Sequence, residues 1–250
     1  MADPVTPHGF RAYALGDVHG RLDLLERLLE LIDSDLSDRP KRKTLLIFLG
    51  DLIDRGPESR GVIERLRTFH HDRLSPYFLA GNHEEILLRV VSGERGLLKD
   101  WMTFGGAECL GSYGLDPVEI GTLKEEEALA SIKRAIPDQH VRFIADFADT
   151  LRFGDYLFVH AGIRPGVDLP QQSQADLRWI RSPFLEDEGD HGFVVVHGHS
   201  ISEEVELRRN RIGIDTGAYH TGTLTALGLE GMCKWTLDTA NGINEIGPSH

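Results

Sequence analysis

The chain has 250 residues, of which 40% are hydrophobic and 27% are charged, and its formal net charge is −13 at pH 7. A chain of this size and apolar content can bury one large core, so we expect a single domain spanning residues 1–250. The acidic balance argues against a nucleic-acid or membrane partner, because both require a basic surface.

Three short apolar runs in the first third of the chain are predicted to be buried β-strands. They cover residues 10–15, 44–49 and 77–80, and each ends at a Gly-Asp or Gly-Asn pair. Between them, apolar residues at helical spacing predict helices over residues 21–32 and 58–68. This βαβαβ order indicates an open α/β sheet, in which functional groups gather at the carboxyl ends of the strands.

The remainder of the chain is predicted to complete a second layer. Residues 86–147 alternate helical patches with Gly and Pro breaks, and we interpret them as a mainly helical insertion that borders the site. Strand-like runs with Gly-rich turns follow and favour a second sheet packed on the first; they cover residues 156–159, 193–196, 211–214, 223–229 and 234–237. The expected fold class is therefore α/β, a β-sandwich flanked by helices, with a frayed tail after Leu237.

The two cysteines, Cys109 and Cys233, are far apart and outside any Cys-x-x-Cys pattern. A disulfide framework or a thiolate metal site is therefore not expected. The N-terminal residues lack the basic and apolar regions of a signal peptide, and no run reaches the ~20 apolar residues that span a bilayer. We expect a cytoplasmic monomer without a membrane segment.

Five short blocks of Asp, His, Asn and Arg each follow an apolar run. Imidazole nitrogens combined with carboxylate and amide oxygens suit Mn, Fe, Zn or Ni, whereas an all-oxygen cage suits Ca or Mg. Together the blocks predict a dinuclear metal site in a hydrolase that acts on phosphate. They are Gly-Asp-Val-His-Gly at 16–20, Gly-Asp-Leu-Ile-Asp-Arg-Gly at 50–56, Gly-Asn-His-Glu at 81–84, His-Ala-Gly at 160–162 and Gly-His at 198–199.

Taken singly, most of these blocks also fit an ordinary structural role. An Asp-x-His pair such as Asp17 and His19 is common by chance, and a histidine at a strand end, such as His160, is more often structural. The block at 50–56 is more specific, because two carboxylates and a guanidinium in one turn are costly unless ions bind there. The joint occurrence of all five blocks is what favours a metal site.

The pair Asn82-His83 predicts two separate roles. If the amide oxygen of Asn82 binds metal, His83 is left free to exchange protons. Asp54 is the nearest carboxylate that could fix the tautomer of His83 and raise its pKa. His83 and Asp54 are therefore the candidate catalytic residues.

The order of these blocks over residues 10–230 resembles the phosphoprotein phosphatase family of calcineurin-like metallophosphoesterases, especially its compact bacterial and phage members, the lambda phosphatase-like branch. The resemblance implies two divalent metal ions, Mn²⁺ in the first instance with Fe, Zn or Ni as alternatives. It also implies that Asp51 bridges the two ions. The implied metal ligands are Asp17, His19, Asp51, Asn82, His160 and His199; Arg55 and Arg181 would clamp the phosphate, and His83 with Asp54 would donate the proton.

Two features of the sequence depart from common family patterns. Ala161 stands where eukaryotic members usually have glycine, which resembles the bacterial branch. Ile201 stands where broader metallophosphoesterases often have a second histidine after Gly-His, and this favours the phosphatase branch over nuclease-type relatives. His197 and His220 are left outside the site and are interpreted as structural or as supporting the ligands.

The implied mechanism is direct attack on phosphorus by a metal-bridging hydroxide, since none of the blocks offers a Ser or Cys nucleophile. The expected activity is hydrolysis of phosphate monoesters, with a phosphorylated protein (Ser/Thr, or alternatively Tyr) or a small phosphoester as substrate. A symmetrical bis(5′-nucleosyl)-tetraphosphatase is the alternative, because residues 101–114, 214–217 and 224–227 also resemble that branch.

Two considerations rank these alternatives. A metal-binding module without catalysis is disfavoured, because it would be expected to lack Arg55, Asn82 or His83, and all three are present. A dedicated tetraphosphate site should add basic or aromatic side chains beyond two clamp arginines, and on this ground we expect monoesters to be preferred. The inserted segment is acidic at residues 125–127 and offers a short set of such side chains, namely Lys99, Trp101 and Phe104.

Overall fold

The computed structural model describes residues 3–246, which form two β-sheets and a set of helices. The strands are β1 (Phe10–Leu15), β2 (Lys43–Phe48), β3 (Leu74–Phe78), β4 (Thr150–Phe153), β5 (Tyr156–Val159), β6 (Val194–His197), β7 (Glu206–Leu207), β8 (Arg211–Gly213), β9 (Thr225–Glu230), β10 (Cys233–Asp238) and β11 (Gly242–Ile246). The α-helices are α1 (Leu22–Asp38), α2 (Ser59–Arg67), α3 (Asn82–Ser92), α4 (Leu98–Trp101), α5 (Ala107–Ser112), α6 (Pro117–Thr122), α7 (Glu125–Ala135), α8 (Asp138–Ala145), α9 (Gln174–Trp179) and α10 (Ala218–Thr221). A π-helical turn, Met102–Gly106, links α4 to α5, and short 3₁₀ turns lie at Leu169–Gln171 and Phe184–Glu186.

Strand β1 lies inside a six-stranded sheet ordered β11-β10-β9-β1-β2-β3. It runs parallel to β2 on one side and antiparallel to β9 on the other. All but the first of its residues are buried, as expected of a strand covered on both faces. Its side chains serve two cores: Ala12 and Ala14 pack toward the second sheet, whereas Tyr13 and Leu15 pack among helices.

The second sheet is ordered β4-β5-β6-β8-β7 and packs on the first. Its central strands β5, β6 and β8 are parallel. The core between the sheets contains apolar side chains from both, among them Ala14, Ile47, Phe158, Val196 and Ile212. The expected fold class, an α/β β-sandwich flanked by helices, is confirmed.

The C-terminal strands join a different sheet from the one predicted. Residues 223–229 and 234–237 are predicted in the second sheet, but β9 and β10 extend the first, because β9 pairs with the free edge of β1. The frayed tail is also wrong as far as residue 246, since β11 pairs with β10; residues 247–250 lie outside the described part. Periodicity identifies a strand, whereas the sheet edge it joins depends on contacts with distant residues.

Helix α1 continues to Asp38 rather than ending near residue 32, because polar contacts of Asp35 hold the last turns of its buried side against the core. The carboxylate of Asp35 accepts hydrogen bonds from Oη of Tyr13 (2.5 Å) and Nε1 of Trp235 (3.0 Å). Arg39 pairs with the same carboxylate at 2.8 Å and lies over the Trp235 ring. An acidic residue interrupts the apolar pattern, and this hides the last helical turns from a sequence-based prediction.

Strand β3 begins at Leu74 rather than at residue 77, because Leu74 pairs with Thr44 of β2. Its Pro76 lacks a backbone N–H, which an edge strand tolerates. Between β3 and β4 the described chain is helical, from α3 through α8. These helices share the core of α1 and α2 on the outer face of the first sheet. No helix within residues 3–246 is both long and apolar enough to cross a bilayer.

Candidate active site

The loops that follow β1, β2, β3, β5 and β6 meet at one edge of the two sheets. Two hydrogen bonds join the sheets there: Nδ1 of His160 donates to the carbonyl of Leu49 (2.8 Å), and the N–H of His199 donates to the carboxylate of Asp17 (3.1 Å to Oδ2). All six predicted metal ligands lie in these loops or at their ends, with exposures of only 0–7%. The structure therefore brings together the residues that the five sequence blocks contribute.

Asp51 lies at the centre of the cluster. Its Oδ2 is 3.7 Å from Nε2 of His19 and 3.4 Å from Nε2 of His160. Two groups of side chains are compact enough to hold a metal ion, one formed by Asp51 with His19 and His83, the other by Asp51 with His160 and His199. Asp51 belongs to both groups, which is the position a bridging carboxylate would occupy.

The imidazoles are oriented for metal binding by the groups behind them. Nδ1 of His19 donates to the carbonyl of Ile53 and Nδ1 of His160 to that of Leu49, both at 2.8 Å. Each Nε2 thereby faces Asp51, as in a metal ligand whose other nitrogen is held by a backbone carbonyl. Nε2 of His199 is buried and has no hydrogen-bond partner within the described chain. A coordinated cation would satisfy this orphaned nitrogen.

Burial keeps two of the candidate ligands in the form that binds metal. It lowers the pKa of His19 and of His199 to about 3, so both rings are neutral near pH 7. Conversely, burial and the neighbouring carboxylates of Asp215 and Asp51 raise the pKa of Asp17. Within residues 3–246, none of these three carboxylates forms a salt bridge with Lys or Arg, and divalent cations would offset their charge.

Asn82 and Asp17 are placed beside the histidines. Oδ1 of Asn82 is 3.0 Å from Nε2 of His160. Asp17 accepts the backbone N–H of His199 with both oxygens, at 3.2 and 3.1 Å. Mixed imidazole, carboxylate and amide donors suit borderline divalent ions, so the residues present fit a divalent metal site.

His83 is held by Asp54 rather than by a backbone carbonyl. Its Nδ1 donates to Oδ2 of Asp54 at 2.6 Å, and its Nε2 lies 3.9 Å from Oδ2 of Asp51. Burial by itself lowers the pKa of His83, but the carboxylates of Asp51 and Asp54 outweigh it and raise the pKa to about 9. This geometry keeps a proton on a ring that faces the cluster.

The two predicted clamp arginines flank the cluster. Arg55 lies over the ring of Tyr219, 4.7 Å from its centroid, and this ring packs edge-on against His19. Nη2 of Arg181 donates to the carbonyl of His199 at 3.3 Å. Neither guanidinium pairs with a carboxylate in the described part of the chain, which leaves both available to an anion.

The backbone of the site is held in left-handed conformations. Among residues 3–246, the non-glycine residues with positive φ are His19 (47°), Asp51 (50°), Asp54 (71°), Arg55 (64°) and His199 (62°). Such a residue costs of order 1–3 kcal/mol. All five are predicted site residues, so the surrounding contacts hold the strained backbone where the functional side chains lie.

Glu84 provides part of this support, and the sequence interpretation gave it no role. Its buried carboxylate accepts the N–H groups of Gly81 (2.9 Å), Asp51 (2.8 Å) and Leu52 (2.8 Å). It therefore joins the loops that follow β2 and β3. The Gly-Asn-His-Glu block contains this residue, but only its position between two loops reveals what it does.

Trp101, Tyr219 and Asp215 are further neighbours that sequence reasoning did not assign to the site. Nε1 of Trp101 donates to Oδ2 of Asp54 at 2.8 Å. Tyr219 contacts His19 and Arg55, as described above. Trp101 and Asp215 lie in segments noted for their family resemblance, whereas Tyr219 lies between two such segments, and no spacing rule connects the three to the five blocks.

A family model described as "Calcineurin-like phosphoesterase" matches residues 10–229. The chain belongs to this family. It is accordingly a hydrolase of the metallophosphoesterase type, and the two compact His/Asp groups agree with the metal binding that the family name implies. The calcineurin-like resemblance inferred from the five blocks is confirmed at this level.

Curated relatives of this calcineurin-like phosphoesterase include asymmetrical bis(5′-nucleosyl)-tetraphosphatases named PrpE. The protein from Halalkalibacterium halodurans is 28% identical over 237 residues, which cover 85% of this chain and 87% of the relative. The protein from Bacillus thuringiensis is 27% identical over 235 residues, covering 85% and 88%. Both alignments extend over most of each chain, including the helical segment between β3 and β4.

Solved structures share the fold. A putative diadenosine tetraphosphatase superposes with a TM-score of 0.64 at 22% identity, covering 95% of this chain and 97% of that one. A cold-active protein-tyrosine phosphatase from a psychrophilic Shewanella species gives a TM-score of 0.58 at 14% identity, covering 98% and 84%. At these identities the likeness concerns the fold alone.

Proposed function

We propose that this phosphoesterase hydrolyses dinucleoside polyphosphates, with two divalent ions, Mn²⁺ in the first instance, held by Asp17, His19, Asp51, Asn82, His160 and His199. The observation that carries the proposal is that an aromatic ring contacts Arg55 and another lies two residues before Arg181. The sequence favours monoesters on the ground that such side chains are scarce. The fold places aromatic side chains near the predicted phosphate-binding arginines, so their scarcity in the sequence is no longer a reason to prefer monoesters.

Two aromatic residues lie near Arg55. Tyr219 lies under Arg55. Phe104 is 66% exposed and precedes Gly105, whose carbonyl accepts the N–H of Arg55 at 2.9 Å. Base–aromatic stacking contributes about 1–3 kcal/mol per base, and an exposed ring next to a phosphate clamp is suited to that contact.

Trp179 provides the corresponding ring on the other side. It is 41% exposed at the end of α9, two residues before Arg181, and its Nε1 donates to Oε2 of Glu85 at 3.3 Å. Glu85 lies in the first turn of α3, two residues after His83. The ring is thus joined to the helix that carries His83 and remains partly exposed. A substrate with a nucleoside at each end would use both aromatic positions.

The names of the curated relatives support the same substrate class, since both are called asymmetrical bis(5′-nucleosyl)-tetraphosphatases. Asymmetrical cleavage of diadenosine tetraphosphate yields ATP and AMP, whereas symmetrical cleavage yields two ADP. We propose the asymmetrical reaction for this chain, in place of the symmetrical one that the sequence resemblance suggests.

The chain's own side chains bind the phosphate and supply a proton. When bound, the two divalent ions supply Lewis acidity and ionise water near neutral pH. Arg55 and Arg181 bind non-bridging phosphate oxygens and offset their charge. His83, held by Asp54 at 2.6 Å, donates a proton to the departing oxygen.

A substrate panel with Mn²⁺ tests the proposal. We expect kcat/KM for diadenosine tetraphosphate to exceed that for phosphoserine, phosphothreonine and phosphotyrosine peptides by at least ~100-fold, a gap worth about 2.7 kcal/mol. Chromatography of the products should show ATP and AMP. Equal or faster hydrolysis of the phosphopeptides would overturn the choice of substrate.

Two variants connect the preference to the aromatic residues. Phe104→Leu and Trp179→Leu should each raise KM for diadenosine tetraphosphate about tenfold and leave turnover of 4-nitrophenyl phosphate unchanged. Met232→Leu, at a residue that is 63% exposed in the turn between β9 and β10, is the matched control. An unchanged KM in both aromatic variants would remove them from substrate binding.

Phosphoprotein phosphatase activity on Ser/Thr or Tyr is the second candidate, favoured by the His83–Asp54 contact. A nucleotide is a good leaving group, whereas the alkoxide of serine needs a proton in the transition state. A buried His–Asp pair facing the cluster is suited to provide it. The phosphopeptides in the same panel test this candidate directly.

A further inference from the structure

Oδ2 of Asp54 accepts two hydrogen bonds from different parts of the chain. One comes from Nδ1 of His83 at 2.6 Å and the other from Nε1 of Trp101 at 2.8 Å. Asp54 is 0% exposed and Trp101 is 3% exposed, so water does not compete for either contact. The indole comes from the last residue of α4, and the imidazole comes from the first turn of α3.

The second oxygen of the carboxylate has no comparable anchor. Oδ1 of Asp54 is buried and has no hydrogen-bond partner within the described chain. The backbone N–H of Asp54 donates to Oγ of Ser59 at 2.9 Å, but this contact does not fix the rotation of the carboxylate. Within the described part of the chain, Oδ2 accepts its hydrogen bonds from His83 and Trp101, and the buried Cys109 thiol also lies against the carboxylate.

The backbone around Trp101 is shaped to deliver the indole to this point. The π-helical turn Met102–Gly106 follows directly, with φ of 114° at Gly105, a value that favours glycine. A Cβ at Gly105 would lie 2.5 Å from Cγ of Arg55, and one at Gly106 would collide with the Trp101 ring. The turn therefore packs closely against both Arg55 and Trp101.

We propose that Trp101 is a positioning residue for proton donation, acting through Asp54 on His83. By fixing Oδ2, the indole fixes the direction of the Asp54–His83 hydrogen bond and so the direction in which Nε2 of His83 points. The inference rests on the proposed hydrolysis at this site. It adds that the inserted helical segment takes part in the chemistry as well as in the core.

Leaving-group dependence tests the proposal in the Mn²⁺-loaded enzyme. Phenyl phosphate releases a more basic oxygen than 4-nitrophenyl phosphate and depends more on a proton donor. Trp101→Phe, which keeps a ring and loses the donor, should lower kcat for phenyl phosphate about tenfold and for 4-nitrophenyl phosphate less than about threefold, with KM unchanged for both. Equal slowing of the two esters, or no slowing, would overturn the proposal.

Trp235→Phe is the matched control. Nε1 of Trp235 also donates to a buried carboxylate, that of Asp35, at 3.0 Å, but in the core beside α1. Both substitutions remove one buried indole–carboxylate contact and should reduce stability alike. Only Trp101→Phe should lower kcat more for phenyl phosphate than for 4-nitrophenyl phosphate. The same difference in Trp235→Phe would assign the effect to stability and overturn the proposal.

A second measurement needs no turnover and separates this inference from the proposed function. In protein labelled with ¹⁵N-tryptophan, Asp54→Asn should move the indole N–H resonance of Trp101 upfield and leave that of Trp235 in place, while Asp35→Asn should do the reverse. If wild-type enzyme hydrolyses neither ester nor dinucleotide, the proposed function fails, and the resonance shift alone decides the contact. An unmoved Trp101 resonance in Asp54→Asn would overturn the inference.

Discussion

Oδ2 of Asp51 lies 3.4 Å from Nε2 of His160, although Asp51 follows a strand of the first sheet and His160 follows a strand of the second. This contact places one carboxylate between the ligands contributed by both sheets. The loss of that carboxylate should therefore affect the whole cluster rather than one loop.

Asp51→Asn is expected to be the most damaging change among the six ligands. Chelation should abolish turnover of the wild type and Mn²⁺ should restore it, because the bound ions carry the Lewis acidity. The variant should hold less metal by elemental analysis. Metal at one hundred times its Kd should raise the free energy of unfolding of the wild type by about 2.7 kcal/mol. The variant should lack this stabilisation. Asp190→Asn, at an exposed position, is the control, and full activity of metal-free Asp51→Asn would contradict the dinuclear site.

His83→Asn should slow esters with poor leaving groups more than those with good ones. The imidazole supplies a proton that only a basic departing oxygen requires, and such a donor contributes about 10²–10⁴-fold. Comparison of kcat for phenyl phosphate and 4-nitrophenyl phosphate measures the difference. His70→Asn, at a side chain that is 90% exposed, should change neither rate. A uniform loss in His83→Asn would exclude the general-acid role.

Arg55→Ala and Arg181→Ala should each lower kcat/KM by about 10–100-fold, or roughly 1.4–2.7 kcal/mol, without loss of metal. Within the described chain, neither guanidinium is hydrogen-bonded to the side chain of a predicted metal ligand. Steady-state kinetics measures the loss of kcat/KM, and elemental analysis measures any loss of metal. Arg209→Ala, at an exposed position, serves for comparison, and metal loss in either clamp variant would mean that its role is assigned wrongly.

Asp35→Ala should destabilise the fold by about 3–5 kcal/mol, because it leaves a buried tyrosine hydroxyl, an indole N–H and an arginine without their shared acceptor. Urea unfolding monitored by circular dichroism measures the change. Asp38→Ala, in the exposed last turn of α1, should cost under ~0.5 kcal/mol. A loss below ~1 kcal/mol for Asp35→Ala would show that the contacts do not stabilise the fold.

The sequence predicts the parts of this protein that depend on neighbours in the chain. The first strand, the βαβαβ order and the five blocks follow from local patterns, because a strand end or a candidate metal ligand can be recognised from residues adjacent in the sequence. Asp54 and His83 could be paired in advance since both lie in such blocks. The structure then places them at hydrogen-bond distance.

What could not be predicted depends on contacts between distant residues. Nothing near Trp101 in the sequence points to Asp54, because the indole reaches it only through a kinked helix packed against another loop. The sheet joined by β9 likewise depends on the open edge of β1. The last turns of α1 are hidden because Asp35 finds its partners in two distant strands.

The pairing of β1 with β9 sets the order in which the protein can be completed during synthesis. Asp17 leaves the ribosome 182 residues before His199, the residue whose N–H it accepts. Until β9 has emerged, β1 has one unpaired edge, and a nascent chain with such an edge is exposed to misassociation. The six predicted ligands would therefore be complete only late in synthesis, and a product truncated before residue 199 would lack the last of them.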